Sequence, residues 1–404
     1  MAASIVQTTA EPVIQLKAEP EVKKQDLTYG FIRDKVPAHC FERSALKGLS
    51  YLFRDIVYAS VLVYLALKID LLPTPFLRAS AWILYGFVQG CVGTGLWIIG
   101  HECGHGAFSE STALNDFLGW AVHSALMVPF FSWKITHARH HRYHGHIDKD
   151  TVFVPPTEAE VENQKPTIFS KFVELVEETP LYHAITLTGH QLFGWQMYLL
   201  FNVSAGNKSL PDKGTSGVQK FRHSHLDPLG SLFTTSQTHL IAMTDLGLLI
   251  VAAGLYYLGT QIGAWKVALL YAVPYFWVHH WLVAITYLHH THPDVPHYDD
   301  KSWTFVKGAL GTVDRRFGFI GRHLFHEIID YHVIHHLFPR IPFYHAEEAT
   351  NAIVPYLGKQ YHLEEGLFLK DLVDTFTTCK VVQNPDSEGA LHWKSSEKAE
   401  KKLN

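Results

Sequence analysis

Between Ala79 and Gly100 the chain runs for 22 residues without an Asp, Glu, Lys or Arg. About 20 apolar residues in a helix cross the hydrocarbon of a bilayer, and in lipid the backbone must satisfy its own hydrogen bonds. This run predicts a spanning helix and a fold that lipid partly solvates. Leu246–Trp265 is also free of charge, and after Lys266 the sequence stays uncharged from Val267 to His290. A weaker candidate, Phe53–Leu72, has Arg54, Asp55, Lys68 and Asp70 near its ends.

These runs predict an all-α integral membrane protein with four spans, at 53–72, 79–100, 240–260 and 267–289. Short turns, one set by Pro73 and Pro75, pair the spans into two tight hairpins. The N-terminus, residues 101–240 and the C-terminal third then share one side. The outer turns carry only Arg78 and Lys266, whereas the rest is rich in Lys and Arg, so the shared side is cytosolic. It should form a helical cap, with 114–131 and 181–201 as helices in or on the membrane surface and 204–218 as a loop.

Residues 1–50 are expected as a cytosolic segment, disordered over about the first 25. They lack an apolar core for a cleavable signal peptide. The main domain is expected over 51–380 and a polar tail over 381–404. The terminal KKLN, with Lys401 and Lys402, resembles the dilysine retrieval signal of endoplasmic reticulum membrane proteins. The four cysteines lie far apart, which argues against a disulfide framework and for reduced thiols. A net charge of −4 without a basic stripe gives no sign of a nucleic-acid partner.

Histidine is in excess, 28 residues of 404, and it is grouped rather than run together. HECGH supplies His101 and His105 at i and i+4. HARHH supplies His137, His140 and His141, and HVIHH supplies His332, His335 and His336, both at i, i+3 and i+4. On a helix such positions lie on one face about 5–6 Å apart. Neutral imidazole is the commonest metal ligand.

HECGH alone matches the H-E-x-x-H of a zinc protease, with Glu102 as general base. That reading leaves both H-x-x-H-H groups without a role. Eight imidazoles exceed one tetrahedral zinc and suit two ions with open positions, with Glu102 orienting an imidazole N–H. Imidazole alone does not choose between zinc and iron. A metal transporter would line its spans with histidine, and most of these histidines lie outside them.

HECGHGAFS, SWKITHARHHRYHGH and HVIHHLFPRIPFYHAEEAT resemble the three histidine boxes of membrane-bound fatty acid desaturases. More narrowly, they resemble the methyl-end Δ12/ω3 acyl-lipid desaturases of fungi and plants. The resemblance runs from VPAHCFERS (36–44) to GKQYHLEEG (358–366). It implies a diiron centre that uses O2 as co-substrate, with the eight box histidines as iron ligands. In WLVAITYLHHTHP it implies a ninth ligand, His290, with His289 beside it. His326 and His146 are further candidates as ligands or as supporting groups, His144 as a hydrogen-bonding neighbour. His279 and His280, within the fourth span, have no assigned role.

The resemblance also implies an acyl-lipid substrate in the endoplasmic reticulum membrane. Electrons would come from cytochrome b5 and its NADH-dependent reductase. No haem-binding HPGG occurs, so a separate cytochrome is expected, docking on basic residues such as Lys134, Arg139, Arg142, Arg315, Arg316 and Arg322. HHTHPDVPHY and FYHAEEAT look like Δ12 enzymes that act on oleoyl chains. HVIHHLFPRIP, with Ile334 and Pro339, looks like ω3 enzymes that act on linoleoyl chains. Δ12 activity is the expectation; ω3 or dual activity and the hydroxylase, acetylenase and conjugase variants stay open.

Overall fold

The structure, a computed structural model, describes residues 27–211, 222–383 and 385–394. The expected disordered start, most of the second half of the 204–218 loop and the KKLN terminus lie outside the described residues. Among those described, three helices are long and apolar enough to cross a membrane: Pro75–His105, Thr238–Ile262 and Ala264–His290.

The first expected span is a helix over Ala45–Ala66 rather than 53–72. Ser44 starts it, its side chain accepting from Lys47 N, and it gives way to a 3-10 turn at Ile69–Leu71 before Pro73. Arg54 and Asp55 therefore sit mid-helix rather than at an end. Asp55 is turned inward and only 2% exposed.

Thr74 caps the next helix through Leu77 N, with Pro75 in the first turn, where its missing N–H costs nothing. This helix does not stop where the apolar run stops. It continues through HECGH and ends at Gly106, which takes the left-handed conformation (φ 69°) that closes a helix C-terminus. It packs along Ala264–His290, and glycine permits the close approach: a Cβ at Gly90 would lie 2.2 Å from Cβ of Trp277. Ala264–His290 takes one π turn at Ala268–Ala272. Pro274 has no N–H for Leu270 O, and Tyr85 Oη donates to that carbonyl instead, at 2.8 Å. Thr238–Ile262 turns Leu246, Leu249, Ile250, Tyr256 and Tyr257 outward, as a lipid-facing helix does.

The expected single helix at 114–131 is two. Thr112–Ala125 ends in a turn in which Met127 has φ 53°, and Phe130–Tyr143 starts after Pro129. Pro129 cannot donate into a continuing ladder, so the apolar pattern bends there. Pro180–Phe201 is one helix. Its buried residues are Gln191, Trp195 and Leu199, of which Trp195 packs on His279 of Ala264–His290, while Ile185, Phe193 and Leu200 stay exposed.

The remaining elements cover the ends of these helices. His332–Leu337 and Ala346–Leu357 pack with the N-terminal helix Tyr29–Lys35 around Ile32, Cys40, Tyr331, Ile334 and Ile353. Val313–Arg315 pairs in parallel with His362–Glu364. Ala390–Leu391 pairs antiparallel with His297–Tyr298, and Trp393 Nε1 donates to Val295 O. The segment expected as a polar tail is thus docked as far as Lys394.

Candidate metal centre

His101 and His105 occupy the last turn of the long Pro75–His105 helix. Phe130–Tyr143 crosses it and brings His137 and His141, and His332–Leu337 brings His335. A ring nitrogen from each of these five lies within 4.8 Å of one from every other. The rings of His101 and His335 are 4.5 Å apart, those of His105 and His141 4.4 Å. A second set, His140, His290 and His336, meets by the same criterion. Its ring of His290 lies 4.7 Å from those of His140 and His336.

The sequence spacing explains the division. Successive residues on a helix point about 100° apart, so adjacent histidines aim at different places. His141 and His335 reach the first set, whereas His140 and His336 reach the second. His332 lies beside the second set, its ring 4.8 Å from His336 and 5.2 Å from His290. Its Nδ1 donates to Ile328 O at 3.1 Å, which leaves Nε2 for a cation.

Burial, reinforced by neighbouring imidazoles, holds His137, His141, His332, His335 and His336 well below the usual histidine range. These rings are neutral at physiological pH, with lone pairs free. Nε2 of His105, Nε2 of His335 and both nitrogens of His336 are buried without a partner, as is Nδ1 of His101, His141 and His290. Each such atom costs about 1–3 kcal/mol when left unpaired. His137 and His141 oppose their Nε2 atoms at 3.1 Å, His140 and His290 at 3.2 Å. That is close to the spacing of two ligands on one ion with bonds of about 2 Å. The cluster fits two imidazole-ligated cations.

Aromatic and acidic neighbours fix the rings. Trp133 stacks on His137 at 4.3 Å, and Trp97 lies between His101 and His123. Asp150 accepts from His140 Nδ1 at 2.7 Å and from Gly145 N at 3.0 Å, and it lies 3.3 Å from His144 Nδ1. Neither Asp150 nor Asp55 stood out in the sequence. Asp150 reaches His140 only because the chain turns back after Tyr143, and Asp55 meets a residue 271 positions away.

The other candidates sit outside the two sets. Glu102 is buried; its Oε2 accepts from Phe343 N at 3.1 Å and its Oε1 lies 3.5 Å from His101 Nδ1. Glu102 thus ties the HECGH helix to the Phe343 turn and lies beside His101 without a hydrogen bond to it. His326 donates through Nε2 to Asp55 Oδ2 at 2.6 Å. His146 donates to Asp300 and accepts from Asp148 N. Both nitrogens of His289 face carbonyls, of Ile285 and Ile329. His279 pairs with Gln196 and His280 packs between Trp277 and Trp281. Of the basic residues, Arg315 is 3% exposed and bound to Leu288 O and Asp371, so it belongs to no docking surface. Arg316 is drawn to Tyr331 Oη.

An apolar cleft opens beside the cluster. Trp97, Trp133, Trp195, Leu282 and Val283 line it, and His137 and His140 stand in its wall. Ions held by the two sets would face this apolar-lined space.

The family profile described as fatty acid desaturase matches residues 79–365. The chain is 42% identical over 378 residues to an oleate hydroxylase of Claviceps purpurea, covering 90% of this chain and 79% of that protein. It is 39% identical over 388 residues to a Δ12 fatty acid desaturase of Mortierella alpina, covering 94% and 93%. It is 40% identical over 374 residues to a Δ12-oleate desaturase of Trichosanthes kirilowii, covering 92% and 95%.

Proposed function

Because the chain belongs to the fatty acid desaturase family, we propose that it inserts a cis double bond at Δ12 of an oleoyl chain, giving linoleoyl. The balanced change is –CH2–CH2– plus O2, two electrons and two protons to –CH=CH– plus two waters. The observation that carries the proposal is the pair of buried histidine sets beside an apolar cleft.

His101, His105, His137, His141 and His335 would hold one iron, and His140, His290, His336 and His332 the other. When bound, the irons supply the O2-dependent removal of hydrogen from an unactivated chain that no side chain performs. The tryptophans, Leu282 and Val283 seat that chain and exclude water. Asp150 holds His140 in position, and Glu102 holds the Phe343 turn against the helix that carries His101. His326, His146 and His144 support the surrounding loops.

We read Ala45–Ala66, with its outward band of Phe53, Ile56, Val61 and Tyr64, as the fourth span. Positive-inside charge supports a cytosolic histidine centre. For electron delivery, Arg139, Arg142, Lys134, Lys149 and Lys208 line one groove on the outer side of the second histidine helix, suited to acidic cytochrome b5.

The hydroxylase relative favours one second reading, 12-hydroxylation of the same chain. Expression in a host that makes oleate but no linoleate, followed by gas chromatography of total lipids, decides between them. Linoleate supports desaturation and a hydroxylated product supports the second reading. Unchanged lipids with an iron-loaded, folded protein would end both.

A further inference from the structure

We propose that His39, Cys40, His345 and Glu348 form a second metal site, apart from the histidine cluster, that takes one zinc-class divalent cation. His39 and Cys40 lie in the 3-10 turn Ala38–Phe41; His345 and Glu348 flank the start of Ala346–Leu357. One ligand atom from each of the four lies within 4.8 Å of those of the other three. His39 Nε2 is 2.9 Å from Glu348 Oε2 and 3.8 Å from Cys40 Sγ. Around a tetrahedral zinc, neighbouring ligands are about 3.5 Å apart, so small side-chain shifts close the shell.

The donor set selects the ion. Two imidazoles, a thiol and a carboxylate fill four positions, as in closed structural zinc sites. Calcium and magnesium demand oxygen, and a thiol with imidazole suits zinc. The side chains of His39 and Glu348 are about half exposed (51% and 52%), while Cys40 is fully buried and forms the floor. Hydrogen bonds among His39, Cys40 and Glu348 alone would not need His345, whose ring makes no hydrogen bond among the described residues.

The cation would clamp two segments that lie far apart in sequence. His345 follows Phe343, whose N–H holds Glu102 beside His101, so the clamp stabilises the turn behind the first histidine set. Burial and Glu348 push the Cys40 thiol up to about 11, so capture of the ion displaces a proton: R–SH + M2+ gives R–S–M+ + H+.

Cobalt titration of the purified, iron-loaded, full-length protein tests the site. A thiolate-to-cobalt charge-transfer band reports a sulfur ligand, which neither histidine set provides. We expect one such site per chain, lost in Cys40→Ser and weakened at least about tenfold in Glu348→Gln, with iron content unchanged. Absence of the band at saturating cobalt, or an identical band in Cys40→Ser, overturns the proposal. Should Cys40→Ser not fold, His345→Gln and Glu348→Gln at the rim carry the test. Unaltered cobalt affinity in both overturns the proposal, and weakened affinity in both supports it.

Discussion

Asp150 Oδ1 accepts from His140 Nδ1 at 2.7 Å, and this bond aims His140 Nε2 at Nε2 of His290, 3.2 Å away. Burial alone would raise the Asp150 carboxyl. The ring N–H of His140 beside it and the hydrogen bonds from His140 and His144 overcome that and hold it below the usual carboxylate range. Asp150 is therefore ionised at neutral pH and fixes the tautomer of its histidine. Asp150→Asn keeps the shape and loses the charge. Iron affinity or linoleate formation should fall about 10–100-fold. Wild-type iron content and wild-type product from this variant would show that the carboxylate orients nothing of consequence.

The two sets make separable predictions. His335→Ala removes a ligand from the five-histidine set, and His336→Ala removes one from the other. Each variant should lose one ion and retain the second, with product formation abolished in both. Iron per folded chain, measured on purified protein, reads this directly. Loss of both ions from either variant would mean that the histidines form one shared nest rather than two.

Much of this centre was legible because its signals are local. Charge-free runs marked the long helices, and the i, i+3, i+4 spacing marked which histidines share a face. The division into two sets follows from adjacent pairs such as His140 and His141, but it needs the third helix to be in place before it has meaning. Helix ends were misplaced where long-range contacts decide them. Arg54 and Asp55 look like the end of a span until His326 arrives to partner Asp55. The bend at Met127–Pro129 is hidden inside an apolar stretch. Nothing around Asp150 has a periodicity that distinguishes it from Asp148 two residues earlier, which faces Lys208.

Glu102 separates oxygen-dependent chemistry from the peptidase that HECGH resembles. Its carboxylate already accepts from Phe343 N, and Glu102→Gln retains an oxygen for that bond. Product formation should fall by less than about tenfold, since the glutamine keeps the bond to Phe343 N and Glu102 makes no hydrogen bond to a ligand ring. A peptidase would lose its general base and nearly all turnover. Abolished desaturation with iron retained would place Glu102 in the chemistry itself.

Tyr85 Oη donates to Leu270 O, the carbonyl to which Pro274 can offer no N–H. Tyr85→Phe removes this bond inside the paired helices with little change of shape. Measured side-chain hydrogen bonds in membranes give a loss of about 0.6–1.7 kcal/mol. Thermal unfolding in detergent should show that modest drop with unchanged iron.

His326 is the candidate ligand that the structure places elsewhere, and its variants can be told apart. Its Nε2 donates to Asp55 Oδ2 at 2.6 Å, and Arg54 also binds that carboxylate through Oδ1. His326→Ala leaves a buried carboxylate with one partner instead of two, a loss of about 1–3 kcal/mol. Unfolding in detergent should register it, while His326→Gln, which can still donate to Asp55, should recover most of the stability. Both variants should bind the full complement of iron. A glutamine variant that is stable yet lacks one ion would return His326 to the metal, because an amide replaces the hydrogen bond and not an imidazole ligand.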